Sequence, residues 1–111
     1  MKQKSLSNAK AVEMMEGIVR KTLTYNDGAM LCHIEMKQGA KIPLHHHEPV
    51  QIGMCLTGKI RFIGEAPEDE FIAAAGDGYV MESNKPHGAV ALEDSAVVEV
   101  FTPSRPEYAD F

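Results

Sequence analysis

The sequence lacks the features that mark membrane-spanning, nucleic-acid-binding and secreted proteins. Its 111 residues contain no apolar run of the length needed to span a bilayer. Lys and Arg form no cluster and the formal net charge is −5, which argues against a nucleic acid or an anionic membrane as partner. The N-terminal stretch is polar and has no apolar middle of the kind found in signal peptides, so we expect a cytoplasmic protein.

Cysteine is also scarce, with only Cys32 and Cys55 in the chain. Both lie in apolar, strand-like runs, and in a reducing compartment such residues are usually small buried hydrophobic side chains. We therefore expect two free thiols and no disulfide. A chain of this length buries somewhat more than about 60% of its unfolded surface, so it can fold as one domain without covalent cross-links.

Helical periodicity is absent after residue 16, and short β-rich runs separated by turn residues take its place. About nine such runs without intervening helices predict a single all-β domain. They are Ile18 to Tyr25, Ala29 to Met36, Lys41 to His47, Val50 to Leu56, Lys59 to Ile63, Glu70 to Ala74, Tyr79 to Glu82, Gly88 to Leu92 and Ala96 to Phe101. The predicted domain covers residues 1–111, with a polar N-terminal segment at about 1–16 and an extended tail at about 102–111.

Four of the five histidines lie in two short stretches of the chain. Alternate residues of an extended strand point the same way, so His45 and His47 share a face and His46 points to the other. Gln51 has the same parity if no bulge intervenes, and His87 follows a proline in a turn-rich segment that could deliver a third imidazole. Two imidazoles on one face are a common half-site for divalent transition metals. The spacing alone is equally compatible with surface histidines that bind nothing.

The residues around these histidines resemble the two conserved motifs of the cupin superfamily. The stretches are Gly39-x5-His45-x-His47-x3-Gln51-x6-Gly58 and Gly76-Asp77-Gly78-x5-Asn84-x2-His87. The resemblance implies a double-stranded β-helix, or jelly-roll barrel, that holds one divalent transition metal ion on His45, His47, Gln51 and His87. Two positions depart from the motifs, since Gln51 replaces a glutamate and Ser83-Asn84-Lys85 replaces Pro-x-Gly.

A glutamine in the fourth position makes the donor set neutral. Three imidazoles and an amide leave the ion its full double charge, where a carboxylate would cancel part of it. Such an ion is a stronger Lewis acid, and its higher oxidation states are less stabilised. The donor set therefore favours polarising a substrate oxygen over oxygen chemistry, and it does not distinguish Zn, Ni, Co, Mn and Fe.

The last predicted strand carries one charged residue, Glu99, among apolar neighbours. A buried carboxylate is costly unless it meets a cation or a hydrogen-bond donor. If the face that Glu99 shares with Phe101 lines the barrel, Glu99 points into the metal pocket, where burial raises its pKa and suits it to proton transfer. Arg105 could then fold back and bind a substrate carboxylate with two hydrogen bonds. The alternatives are a solvent-facing Glu99 and a surface Arg105.

The run from Val98 to Arg105, followed by Tyr108, resembles the pectin-degradation cupins, a family similar to this chain over nearly its whole length. Its members convert the 4,5-unsaturated uronates released by pectate and alginate lyases into linear, ketonised 4-deoxy sugar acids. The resemblance implies proton transfer at Glu99, where the family commonly has aspartate, and active-site roles for Phe101 and Arg105. It also implies an anionic sugar as the small-molecule substrate, and cupins of this size usually form homodimers through their sheets.

Two other functions are compatible with the same residues. One is a different metal-dependent cupin enzyme, such as an iron-dependent dioxygenase of a small phenol or thiol. The other is a non-catalytic cupin that binds or senses a sugar. Full activity with a redox-inert metal and without oxygen would exclude the dioxygenase. Loss of turnover in Glu99→Gln with unchanged ligand affinity would exclude the binding protein.

Overall fold

The computed structural model of the protein describes residues 1–109, which form ten strands and three short 3₁₀ helices. The strands are β1 (Ala11–Met15), β2 (Ile18–Tyr25), β3 (Met30–Met36), β4 (Lys41–His45), β5 (Val50–Thr57), β6 (Lys59–Gly64), β7 (Phe71–Ala74), β8 (Gly78–Met81), β9 (His87–Ala91) and β10 (Ser95–Thr102). The 3₁₀ helices are Leu6–Asn8, Pro67–Asp69 and Pro106–Tyr108. No helix within residues 1–109 is long and apolar enough to cross a membrane. Residues 110 and 111, the end of the predicted domain and tail, lie outside the described residues.

The strands form two antiparallel sheets that pack face to face. The larger sheet has the order β1-β2-β3-β10-β5-β8, and the smaller has the order β4-β9-β6-β7. One apolar core joins them, since Ile18 and Val97 of the larger sheet belong to the same buried cluster as Ile60 and Phe62 of the smaller. The structure thus confirms the predicted all-β, jelly-roll fold.

Alternation of buried and more exposed side chains explains which residues form the strands. In β10 every second side chain is buried, and those between are partly exposed. The buried set contains Glu99 and Phe101, so both face the barrel interior and the alternative of a solvent-facing Glu99 is excluded. In β2 the inward face carries Ile18, Arg20 and Thr22, and the interior therefore contains a buried cation as well as a buried carboxylate.

The predicted strand Lys41 to His47 is too long, because β4 ends at His45. The reason is the pairing partner: His45 pairs with His87, the first residue of β9, and beyond it β4 has no strand to bond to. His47 consequently lies in the loop before β5. A further strand, β1, forms within the N-terminal segment, where no strand was predicted, as a short edge strand paired with β2.

Two smaller predictions have different outcomes. Cys32 and Cys55 are buried and free, which confirms the expectation of two thiols without a disulfide. The tail is only partly extended, because Pro106–Tyr108 forms a 3₁₀ turn. The Tyr108 carbonyl accepts a hydrogen bond of 2.6 Å from Thr22 Oγ1, so this turn lies against the inward face of β2.

A tight turn at Gly58 connects β5 to β6 across the two sheets. Gly58 has φ +83°, a left-handed conformation that side chains other than glycine rarely adopt. A Cβ at this position would also collide with Ser95 Oγ and the Asp94 carbonyl. The glycine at the end of the first motif is thus required by the close approach of the turn before β10.

Candidate metal and substrate site

Three imidazoles meet at one end of the barrel. His45 and His87 are direct cross-strand partners on β4 and β9, with ring centroids 4.6 Å apart. His47 reaches them from the loop after β4, with its ring centroid 4.8 Å from that of His87. One ligand atom from each of the three lies within 4.8 Å of the others, so the group could hold a metal ion. His46 is exposed and is not part of the group, as its opposite parity predicted.

Backbone carbonyls orient all three rings. Nδ1 lies 2.9 Å from the Pro43 carbonyl in His45, 2.8 Å from the Pro49 carbonyl in His47 and 2.9 Å from the Lys85 carbonyl in His87. A carbonyl only accepts, so each Nδ1 carries the proton and each neutral ring keeps a lone pair on Nε2. In metal-binding histidines, the ring nitrogen that does not contact the metal usually donates a hydrogen bond of this kind. In the described part of the chain, His87 Nε2 is the buried side-chain polar atom without a hydrogen-bond partner.

Burial favours the neutral form of His47 and His87. It lowers the pKa of His47 and of His87 below the usual histidine value, because the charged imidazolium is disfavoured away from water. The Arg105 guanidinium acts in the same direction on both residues. A proton therefore competes less well for the Nε2 lone pairs of His47 and His87 than for that of an ordinary histidine.

Gln51 completes a four-donor arrangement. Its Nε2 donates a hydrogen bond of 2.7 Å to Glu99 Oε2, so its oxygen Oε1 faces His47 Nε2 at 3.1 Å. When the His47 ring is neutral with its proton on Nδ1, both facing atoms bear lone pairs, which repel each other unless a metal ion or a proton lies between them. Two ligands of one zinc-like ion, each about 2.1 Å from it, are about 3.0–3.4 Å apart. The lone-pair geometry and the unpartnered His87 Nε2 fit a divalent ion held by three imidazoles and one amide oxygen.

Glu99 lies directly behind Gln51. It is 4% exposed, and its Oε2 accepts a second hydrogen bond, of 2.6 Å, from the Tyr79 hydroxyl. Burial raises the pKa of the Glu99 carboxyl, while the hydrogen bonds from Tyr79 and Gln51 and the charge of Arg105 oppose the shift. Glu99 also lines the same cavity as His45 and His87.

The tail brings Arg105 over the site. Its guanidinium lies 5.2 Å from the Phe101 ring centroid and 4.2 Å from the Tyr108 ring centroid, and its side chain is 15% exposed. Phe101 is buried with its ring 5.9 Å from that of His47. Arg105 therefore folds back toward the histidines, and the alternative of an ordinary surface arginine does not describe it.

A cavity of about 260 Å³ connects these groups. Its polar wall contains His45, His87, Gln51, Glu99 and Arg105. An apolar wall of the same cavity includes Ile18, Ile34, Ile60 and Phe62. A small molecule in the cavity would meet the metal-binding group, the carboxylate and the guanidinium together.

Two contributions to the site were not predicted from the sequence. Tyr79 contacts Glu99, and Arg20 lies with its guanidinium 4.2 Å from the Tyr108 ring centroid. A signal for Tyr79 does exist in the sequence: Gly53 interrupts an apolar strand, and a strand glycine often marks the close approach of another group. Arg20 gave no such signal, because the alternation in β2 looks like that of a half-exposed strand.

Comparison with known proteins supports the jelly-roll fold described above and assigns the chain to a family. A family model of the cupin domain matches residues 32–102. The chain belongs to the cupin family. Among curated cupins, the pectin degradation protein KdgF of Dickeya dadantii (strain 3937) is 31% identical over 98 residues, which cover 86% of this chain and 87% of that protein. This similarity places the chain with the pectin-degradation cupins and confirms the resemblance read from the sequence.

Solved cupin structures share the fold closely. KdgF from a Halomonas species matches with a TM-score of 0.88 and 28% identity, over 96% of this chain and 97% of that one. An RmlC-like cupin from Shewanella frigidimarina NCIMB 400 matches with a TM-score of 0.86 and 21% identity, over 98% and 100% of the two chains. The second likeness supports the fold alone.

Proposed function

We propose that this cupin is a metal-dependent enzyme that opens and ketonises 4,5-unsaturated uronates from pectin or alginate breakdown. The observation that carries the proposal is the shared cavity, which Glu99 and Arg105 line together with His45 and His87 of the three-histidine group. A uronate needs a cation for its carboxylate and a proton donor at its ring, and both are present. The similarity to proteins named KdgF supports the same substrate class.

The reaction divides into positioning and proton transfer. His45, His47, His87 and Gln51 would hold the divalent ion, which would supply Lewis-acid polarisation of substrate oxygens. Arg105 binds the substrate carboxylate through its planar guanidinium, and the Phe101 and Tyr108 rings keep that guanidinium in place and exclude water. Ring opening breaks the bond between C1 and the ring oxygen, releases the anomeric hydroxyl proton to give an aldehyde at C1, and leaves an enolate at C5. Protonation at C4 gives the ketone, and the Glu99 carboxyl moves this proton.

The direct test follows the double bond of the substrate. Metal-loaded protein is mixed with unsaturated galacturonate under anaerobic conditions, and loss of the ultraviolet absorbance of the conjugated ring is recorded. We expect a rate well above the spontaneous reaction, lost after treatment with a chelator and restored by adding metal. A rate equal to the spontaneous one with metal-loaded protein would refute the proposed activity.

Arg105→Leu tests the role of the guanidinium. Loss of a hydrogen-bonded charge pair costs about 1.5–3 kcal/mol, so we expect KM for the uronate to rise about 10- to 100-fold. Arg105→Lys should recover only part of the loss, because an ammonium does not bind a carboxylate in the bidentate way. Arg61→Leu, which removes an exposed arginine paired with Glu70, is the matched control and should leave KM unchanged. An unchanged KM in Arg105→Leu would show that Arg105 does not bind the substrate carboxylate.

The apolar wall of the cavity favours a second candidate. Ile18, Ile34, Ile60 and Phe62 offer no hydrogen bonds to a hydroxyl-rich sugar, but they would pack well against a small phenol. A dioxygenase of such a compound would consume oxygen and require a redox-active metal. Oxygen uptake with an iron-loaded protein and a phenol, together with no uronate turnover, would favour this candidate over the leading one.

We further propose that the protein forms a homodimer through the outer face of its larger sheet. Ile52, Met54 and Val80 are 51%, 40% and 47% exposed on adjacent strands, which is unusual for a surface in contact with water alone. A second copy would cover this apolar face. Sedimentation should give a dimer for the unmodified chain and a monomer for Ile52→Glu. A monomeric unmodified chain at micromolar concentration would contradict the proposal.

A further inference from the structure

The contacts of Glu99 extend across three adjacent strands. In the larger sheet Gly53 of β5 pairs with Glu99 of β10 on one side and with Tyr79 of β8 on the other. The Tyr79 hydroxyl and the Gln51 amide both donate to the same carboxylate oxygen, Oε2, at 2.6 and 2.7 Å. These side-chain contacts form a network that runs from Tyr79 through Glu99 and Gln51 to His47.

Gly53 makes this side-chain network possible because its missing side chain leaves space for the contact between Tyr79 and Glu99. A Cβ at Gly53 would lie 2.8 Å from the Tyr79 hydroxyl oxygen and 2.9 Å from Glu99 Cγ. Real Cβ atoms do not approach other atoms so closely, and both Tyr79 and Glu99 are buried, so a side chain at this position would force one of them to shift. The missing side chain lets Tyr79 and Glu99 meet over the middle strand.

An unrestrained glutamine amide can present either its oxygen or its nitrogen to a metal ion, and only the oxygen is a ligand. A hydrogen bond from Gln51 Nε2 to an acceptor fixes the choice, and Glu99 Oε2 is that acceptor. The Tyr79 hydroxyl in turn restrains Glu99 Oε2. We propose that Tyr79 is a positioning residue that, through Glu99, holds the Gln51 oxygen toward the ion. This inference rests on the proposed metal site.

Binding of Co²⁺ tests the inference without using catalysis. Outer hydrogen-bond partners of metal ligands typically affect affinity about 10- to 100-fold. We expect Tyr79→Phe, which loses only the hydroxyl, to weaken Co²⁺ binding about 10-fold and to change the intensity of its visible absorption bands. Glu99→Leu, which removes the acceptor, should have a larger effect. Glu99→Gln retains an acceptor oxygen and should bind Co²⁺ nearly as the unmodified protein does.

The controls separate positioning from general destabilisation. Tyr25→Phe removes a hydroxyl from a tyrosine at the end of β2, where it packs against a second, smaller buried cluster that contains Met30, and should leave Co²⁺ affinity and spectrum unchanged. Thermal unfolding of the metal-free proteins shows whether each variant is folded. If the unmodified protein binds Co²⁺ and folded Tyr79→Phe and Glu99→Leu bind it with the same affinity and spectrum, the positioning role is wrong and the metal site stands. If the unmodified protein binds none, both are wrong.

Discussion

Glu99→Gln is expected to lose about 100- to 10,000-fold in kcat while still binding the metal and the uronate. The range is that of a general acid or base removed from an active site. Glutamine has nearly the same size as glutamate and keeps an oxygen that can accept the hydrogen bonds from Tyr79 and Gln51. It cannot move a proton in the reaction. The substitution therefore separates the chemical role of the carboxylate from its structural one.

The measurement is steady-state kinetics together with calorimetric titration of the substrate or its product. Glu35→Gln, on the outward face of β3, is the matched control and should retain full activity. Unchanged turnover in Glu99→Gln would assign the proton transfer to another group. A protein that binds the uronate equally well with either residue and turns it over with neither would be the non-catalytic sugar-binding cupin.

His87→Ala is expected to abolish the stabilisation of the fold by metal. An ion at about 100 times its Kd stabilises the folded state by about 2.7 kcal/mol, which for a domain of this size raises Tm on the order of 10 °C. His87 pairs with His45 and has an Nε2 atom that no protein group in the described residues satisfies. Its removal should therefore take away one of the three proposed imidazole ligands and, with it, the response to metal.

Thermal unfolding with and without added Zn²⁺ checks this expectation. His46→Ala is the matched control, because His46 lies beside two members of the group in sequence but is exposed and points away. It should respond to Zn²⁺ as the unmodified protein does. A His87→Ala protein that is still stabilised to the same extent would place the ion elsewhere on the molecule.

Much of the fold could be read from residue periodicity, because a half-buried strand alternates strictly along its length. In the last strand the period of two put Glu99 and Phe101 on one face, but only the structure shows that this face lies inside the barrel. The end of β4 was not predictable in this way. It depends on where its partner β9 begins, which is a property of tertiary pairing and leaves no local signal.

In the candidate site too, the residues with a local sequence signal were predicted and the long-range contacts were not. The histidines and Gln51 were found because their spacing is local or matches a motif. Tyr79 was missed because its contact with Glu99 depends on the register of three strands that are distant in the sequence. The orientation of the Gln51 amide likewise follows from a hydrogen bond to a residue 48 positions away. Periodicity and motif spacing in one sequence do not contain the register between strands that are distant in the chain.

The central claim is that one divalent ion binds to three histidines and Gln51. Native mass spectrometry of protein incubated with Zn²⁺ tests it most directly, with the His45→Ala, His47→Ala and His87→Ala variants measured beside the unmodified chain. We predict one ion per chain in the unmodified protein and in His46→Ala, and none retained by the three variants under the same conditions. An unmodified protein without bound ion, or variants that all keep it, would contradict the claim.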